Sequence, residues 1–205
     1  MMNKIFYKHY VFLDQINKII EENLLKLRHL IIIININLEK HKNSEIELSI
    51  INFAKKNNIP FLIKNDFKKC IKFKANGIFI DSNKKIMLRP TITKRKFLIV
   101  GTVHNQLEYY YKKAQNCNNL FLSPIFFNKK YSPNKIYGTN KFRIISLEWK
   151  INLGALCGIN KSNIRKIQLT KAKFIGFQSL IKEKGLSNIQ VRIGLLKYYL
   201  FNYLN

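Results

Sequence analysis

Asn65-Asp66 and Asp81 stand at the ends of two apolar runs. Carboxylate and amide oxygens at such ends could hold Mg²⁺ against a diphosphate, since Mg²⁺ takes oxygen ligands and needs few protein contacts. Asp66 also precedes the helix-like stretch Phe67–Phe73 and could instead be its N-cap. Cys157-Gly158-Ile159-Asn160 ends a later run. There Gly158 would let main chain approach an anion, and the helix start that follows favours negative charge. Gln178 and Ser179 close the last run and could form the other half of a phosphate cradle. An ordinary turn capped by Asn160 is the alternative. The loop 127–138 carries Asn128, Lys129, Lys130 and Lys135. A basic loop can close over a phosphorylated ligand, or it can simply be solvated. His104 follows the fifth run and could move a proton or cap a helix. His9, His29 and His41 show no metal-ligand spacing, and no Ser-His-Asp order with a nucleophile elbow is visible.

Eight short β-type runs must position these groups: 10–14, 29–37, 60–66, 77–82, 97–104, 120–126, 153–159 and 174–181. Most are nearly continuous apolar segments, as expected of parallel strands buried on both faces. Helix-like stretches lie between them. Residues 15–28 place Ile16, Ile19, Ile20, Leu24 and Leu27 at a helical period. In 44–56, Ser44 is an expected N-cap, with Glu47 completing a capping box. Stretches 105–114, 140–147, 162–169 and 187–204 continue the pattern, whereas 83–96, with Pro90, is a poor helix. Eight strand–helix units in order predict a closed (β/α)₈ TIM barrel of class α/β, one domain over residues 1–205. An open doubly wound sheet is the alternative, but no Gly-rich fingerprint follows the first strand. Barrel chemistry sits at the C-terminal ends of the strands, where the residues named above fall.

The chain carries 37 Lys and Arg against 11 Asp and Glu, a formal charge of +26. Such an excess can mark a nucleic-acid partner. Here the charge is spread over the chain, its clusters (Lys94-Arg95-Lys96, Lys129-Lys130) are short, and no aromatic-interleaved platform appears. Over-use of Lys, Ile and Asn fits compositional drift. The expectation is therefore phosphorylated small-molecule partners drawn in by the positive field, not nucleic acid. The longest apolar run, Leu30–Ile34, is too short to span a membrane. No secretory apolar segment opens the sequence. Three scattered cysteines argue against a disulfide framework or zinc site. A cytoplasmic protein is expected.

Several segments together resemble the thiamine-phosphate synthase and TenI-type thiazole tautomerase family. Ile99-Val100-Gly101-Thr102-Val103-His104 resembles its strand-five motif, and Ser123-Pro124-Ile125-Phe126 is similar to its Gly-Pro-Ile-Phe of strand six. Cys157-Gly158-Ile159-Asn160 resembles the Gly-Gly-Ile-Asn turn. Residues 60–66 resemble the strand ending in Asn-Asp, 77–80 the Gly-Val-His-Leu of strand four, and 10–14 the opening Tyr-Leu-Ile-Thr-Asp. The resemblance covers nearly the whole chain in order. It implies a synthase joining hydroxymethylpyrimidine diphosphate to thiazole phosphate with loss of pyrophosphate, Mg²⁺ and basic groups stabilising the leaving group. It further implies Asn65 and Asp66 as diphosphate and metal contacts and Thr102 in the place of a serine, while Asp81, from its position at the end of the neighbouring strand, is the other expected metal ligand. Lys129 and Lys130 would meet phosphate, with Lys130 catalytic. Cys157, Gly158, Gln178 and Ser179 would hold the thiazole phosphate.

Departures from the family pattern are equally visible. Its Gln-x-Arg-x-Lys set after strand two falls near Ile33, Asn35 and Asn37, so those cations are absent. A second metal aspartate falls at Lys84, with Phe79 and Ser82 in place of its His and Gln neighbours. The tautomerase histidine falls at Pro124. Two further readings therefore stand beside a divergent synthase. One is a non-catalytic barrel that binds phosphate ligands. The other is a charge-driven nucleic-acid binder, which would show steep salt dependence.

Overall fold

A computed structural model describes residues 8–36, 43–86, 97–129 and 131–183. Eight strands run in order: β1 Lys8–Leu13, β2 Leu30–Ile34, β3 Phe61–Lys64, β4 Gly77–Ile80, β5 Leu98–Val103, β6 Asn119–Leu122, β7 Asn152–Leu156 and β8 Phe174–Phe177. Each pairs in parallel with the next, and β8 closes on β1, with Lys8 opposite Phe174 and Val11 opposite Phe177. This is the expected (β/α)₈ barrel. The helices are α1 Lys18–Leu25, α2 Asn43–Lys56, α3 Phe67–Phe73, α4 Gln106–Ala114 and α5 Gly138–Glu148. A 3₁₀ segment, Ile164–Thr170, replaces the helix expected over 162–169. Helix α2 already begins at Asn43, so Ser44 lies inside it and is not the N-cap; Glu47 is buried and takes the Lys69 ammonium of α3. The helix-like stretch 187–204 lies outside the described residues, as does most of 83–96. Among the described residues no helix is long and apolar enough to cross a membrane.

Side-chain alternation along each strand divides the apolar residues into two cores. One face of every strand packs outward on the helices, as Val11, Ile32, Ile63, Ile78, Ile99, Leu120, Ala155 and Ile175 do. The other face fills the barrel with Tyr10, Phe12, Ile31, Ile33, Leu62, Phe79, Val100, Phe121 and Phe174. Phe121 sits at the centre of this interior. Its ring meets Phe174 edge-on at 4.8 Å and Tyr10 at 5.3 Å between centroids. Such contacts contribute about 0.5–1.5 kcal/mol each beyond area burial. Room for the Phe174 ring comes from Gly154 on β7, where an added Cβ would lie 2.1 Å from that ring. The interior is packed, leaving the strand ends for chemistry.

Candidate active site

The same alternation decides which residues face the barrel mouth. Following inward-pointing Phe12, Ile33, Leu62, Phe79, Val100, Phe121 and Gly176 by two positions gives Asp14, Asn35, Lys64, Asp81, Thr102, Ser123 and Gln178. The hydrogen bonds agree with this placement. Lys64 Nζ lies 2.8 Å from Asn35 Oδ1 and 2.9 Å from Asp81 Oδ2, bridging the ends of β2, β3 and β4. Across the barrel, Gln178 Nε2 donates to Asp14 Oδ2 at 2.8 Å, and Lys182 Nζ meets Asp14 Oδ1 at 2.9 Å.

Asn65 adopts a left-handed conformation, φ 57°, a region Asn tolerates better than most residues. The turn aims its amide at Asp81 in a reciprocal pair. Asn65 Nδ2 donates to Asp81 Oδ2, and the Asp81 N–H donates to Asn65 Oδ1, each at 2.9 Å. From behind, the buried Lys112 of α4 fixes the loop after β4. Its ammonium donates to the main-chain carbonyls of Asp81 and Lys84, the latter at 2.8 Å, and to Gln115 Oε1 at 2.9 Å. Gln115 Nε2 reaches the Lys84 and Ile86 carbonyls, both at 3.0 Å. Removal from water pushes the Lys112 pKa down. The buried Asn23 of α1 does similar work at the opposite rim, donating to the Ile181 and Glu183 carbonyls at 2.9 Å.

The β5 and β6 ends meet through His104. Asn105 caps α4, its side chain accepting from the Glu108 N–H at 2.9 Å, while Glu108 Oε2 takes the His104 N–H at 2.7 Å. His104 is therefore part of a helix cap. Its Nε2 lies 3.3 Å from the Tyr131 hydroxyl of the loop after β6. Tyr137, from the same loop, donates its hydroxyl to the His104 carbonyl. Burial pushes the Tyr131 phenol pKa up; nearby Cys157 adds to this, and a hydrogen bond with Ser123 opposes it. The loop after β6 thus folds over the mouth, with Tyr131 between the ends of β5, β6 and β7.

Asp66 is the N-cap of α3, accepting the Lys69 N–H at 2.9 Å. Thr102 is buried at the inner end of β5. Cys157 and Gly158 are successive left-handed residues, φ 76° and 74°. A Cβ on Gly158 would lie 2.4 Å from the Phe126 carbonyl oxygen, so close packing of two loops requires glycine whatever binds nearby. Asn163 Nδ2 holds the Gly158 carbonyl at 2.7 Å. Asn160 folds its side chain onto the Ser162 and Asn163 N–H groups, the capping role weighed from sequence. Ser179 is exposed at the end of β8, and Lys129 is exposed on the loop after β6. Lys130 lies outside the described residues. The structure thus joins Asn65 directly to Asp81, and sets Thr102, Gly158, Gln178 and Ser179 around the same rim through the barrel topology. Sequence reading missed Lys64, Lys112 and Tyr131. Counting by twos from Leu62 would have placed Lys64 in the mouth.

The donor set does not fit a magnesium ion shared by Asp66 and Asp81. Among the described residues no three His, Cys, Asp or Glu side chains cluster as a metal site. Asp66 Oδ1 accepts the Lys69 N–H of its cap, and Asp81 Oδ2 already accepts from Lys64 and Asn65. A dication brought about 4 Å from the Lys64 ammonium would meet repulsion on the order of 8 kcal/mol at an effective dielectric of about 20.

Fold and rim together define a parallel-barrel protein with its polar groups gathered where the strands end. The family model described as thiamine monophosphate synthase matches residues 7–181, and the chain belongs to that family. A search of curated proteins finds no match. Among solved structures, thiamine phosphate pyrophosphorylase from Pyrococcus furiosus is similar at 18% identity and TM-score 0.67, covering 93% of this chain and 94% of that one. The thiamine phosphate pyrophosphorylase of Bacteroides thetaiotaomicron is similar at 16% identity and TM-score 0.57, covering 94% and 96%. The 3-hexulose-6-phosphate synthase of Salmonella typhimurium gives 11% identity and TM-score 0.63, covering 91% and 96%. At these identities the likenesses show the fold.

Proposed function

We propose that this protein is a thiamine-phosphate synthase-like transferase, joining hydroxymethylpyrimidine diphosphate to a thiazole phosphate with release of pyrophosphate. Family membership supports the reaction class. One observation supports the site: at the ends of adjacent strands β7 and β8, the Gly158 and Ser179 amides donate no hydrogen bond among the described residues. By contrast, the amides of Asn35, Asn65 and Ser123 at other strand ends are all taken. Unclaimed main-chain N–H groups beside a strand end suit a phosphate.

In this reading Gly158, Cys157, Gln178 and Ser179 hold the thiazole phosphate. Asn65 and Lys129 contact the diphosphate, and Thr102 faces the reacting groups; the catalytic role expected of Lys130 falls on a residue outside the described ones. The positive charge of the chain draws both anionic substrates toward the mouth. A second reading, a phosphate-ligand binding barrel without turnover, is favoured by the Asp81 carboxylate already held by Lys64. Incubation with both precursors, with and without Mg²⁺, separates the two. Thiamine phosphate formed by the wild type supports the transferase. Absence of product with retained binding of thiazole phosphate supports the binding barrel.

A further inference from the structure

We propose that Lys64 is the resident cation at the ends of β2, β3 and β4, so that diphosphate-type anions bind there without a divalent metal; this rests on the reading of the mouth as a phosphate-ester site. Among the residues that alternation carries to the strand ends, Lys64 is the one lysine or arginine. It stands between Asn35 and Asp81, with its side chain 23% exposed. An ammonium has three N–H donors, and the two contacts to Asn35 and Asp81 leave a third for a ligand. Asn65 Nδ2 likewise has a second hydrogen beyond its bond to Asp81. Lys64 and Asn65 therefore present a charged and a neutral donor side by side.

The neighbouring groups hold that lysine in place. Asp81 is its counter-ion, and Lys112 anchors the Asp81 main chain from the far side. A point charge fixed in this way does at the strand ends what a bound dication would do, and the same ammonium repels a dication from Asp81. Anion binding and Mg²⁺ binding are thus alternatives at this position.

Inorganic pyrophosphate, titrated calorimetrically into the full chain in excess EDTA and again in excess Mg²⁺, tests the assignment. The wild type binds in EDTA, and Mg²⁺ strengthens binding by less than about threefold. Lys64→Gln weakens binding in EDTA by about tenfold or more, and Lys64→Arg restores most of it. Thermal melts by circular dichroism establish that each variant is folded. Binding that requires Mg²⁺, wild-type binding by Lys64→Gln, or no binding under either condition overturns the proposal. Mg²⁺-dependent product formation would sink this proposal and leave the transferase reading intact. Metal-free, Lys64-dependent binding without product would do the reverse.

Discussion

Lys112 and Asp81 are joined back to front: the buried ammonium of α4 holds the main-chain carbonyl of the residue whose carboxylate faces the mouth. Lys112→Met removes the donor and leaves the Asp81 carbonyl and Gln115 Oε1 short of a partner, while Gln115 Nε2 still holds the Lys84 carbonyl. A loss of about 2–4 kcal/mol in urea unfolding is expected. The effect depends on pH with a definite sign. Burial lowers the folded pKa of Lys112 below its unfolded value near 10.4, so across the interval between them the unfolded chain binds more protons. This contribution is fully present above the unfolded pKa and falls away as pH drops through the folded one. Wild-type stability relative to Lys112→Met therefore rises with pH across the interval just below the ordinary lysine pKa.

Asp66 can be separated into its two roles. Asp66→Ala removes the cap of α3 and costs about 1 kcal/mol in thermal or urea unfolding. Asp66→Asn keeps a capping oxygen and removes the charge, so stability stays within about 0.5 kcal/mol of wild type. If the carboxylate charge matters to turnover, Asp66→Asn loses product formation at near-native stability. Equal stability losses in the two variants would refute the capping assignment.

Gly158→Ala puts a methyl into the Phe126 carbonyl and forces a non-glycine residue to a positive φ. A loss of about 2–4 kcal/mol is expected. Binding of thiazole phosphate, followed by calorimetry on the folded fraction, weakens at the same time, whereas Asn163→Ala, which frees the Gly158 carbonyl and the Asn160 N–H, weakens it less.

The three cysteines should react in sequence. Cys70 and Cys117 are buried, and burial raises each thiol pKa to about 12. Cys157 is half-buried at the mouth. Dithionitrobenzoate at neutral pH should label one thiol in the native protein and all three in urea, because the thiolate is the reactive form. Pyrophosphate or thiazole phosphate should slow the first reaction.

The barrel was legible because its strands are long apolar runs that need no partner to announce themselves, Leu30–Ile34 above all. Strand ends were less so. Residues 35–36 and 123–126 read as strand, yet the chain leaves the sheet at Ile34 and Leu122, where polar mouth residues and the turn at Pro124 take over. Asp66 as a cap was visible from its position before Phe67. Lys112 was not, since a lysine in a basic helix reads as solvated; only its place one turn beyond Tyr109 on the inner face buries it. Lys64 was hidden inside an apolar run whose final two residues drew attention away from it.

The nested fit of Gly154 and the Phe174 ring has a bearing on descent. Neither partner tolerates revision by itself: a side chain on β7 strikes the ring, and a smaller residue on β8 opens a void. Lineages that vary here should change both codons together, so this pair offers a marker of common ancestry independent of any residue at the rim.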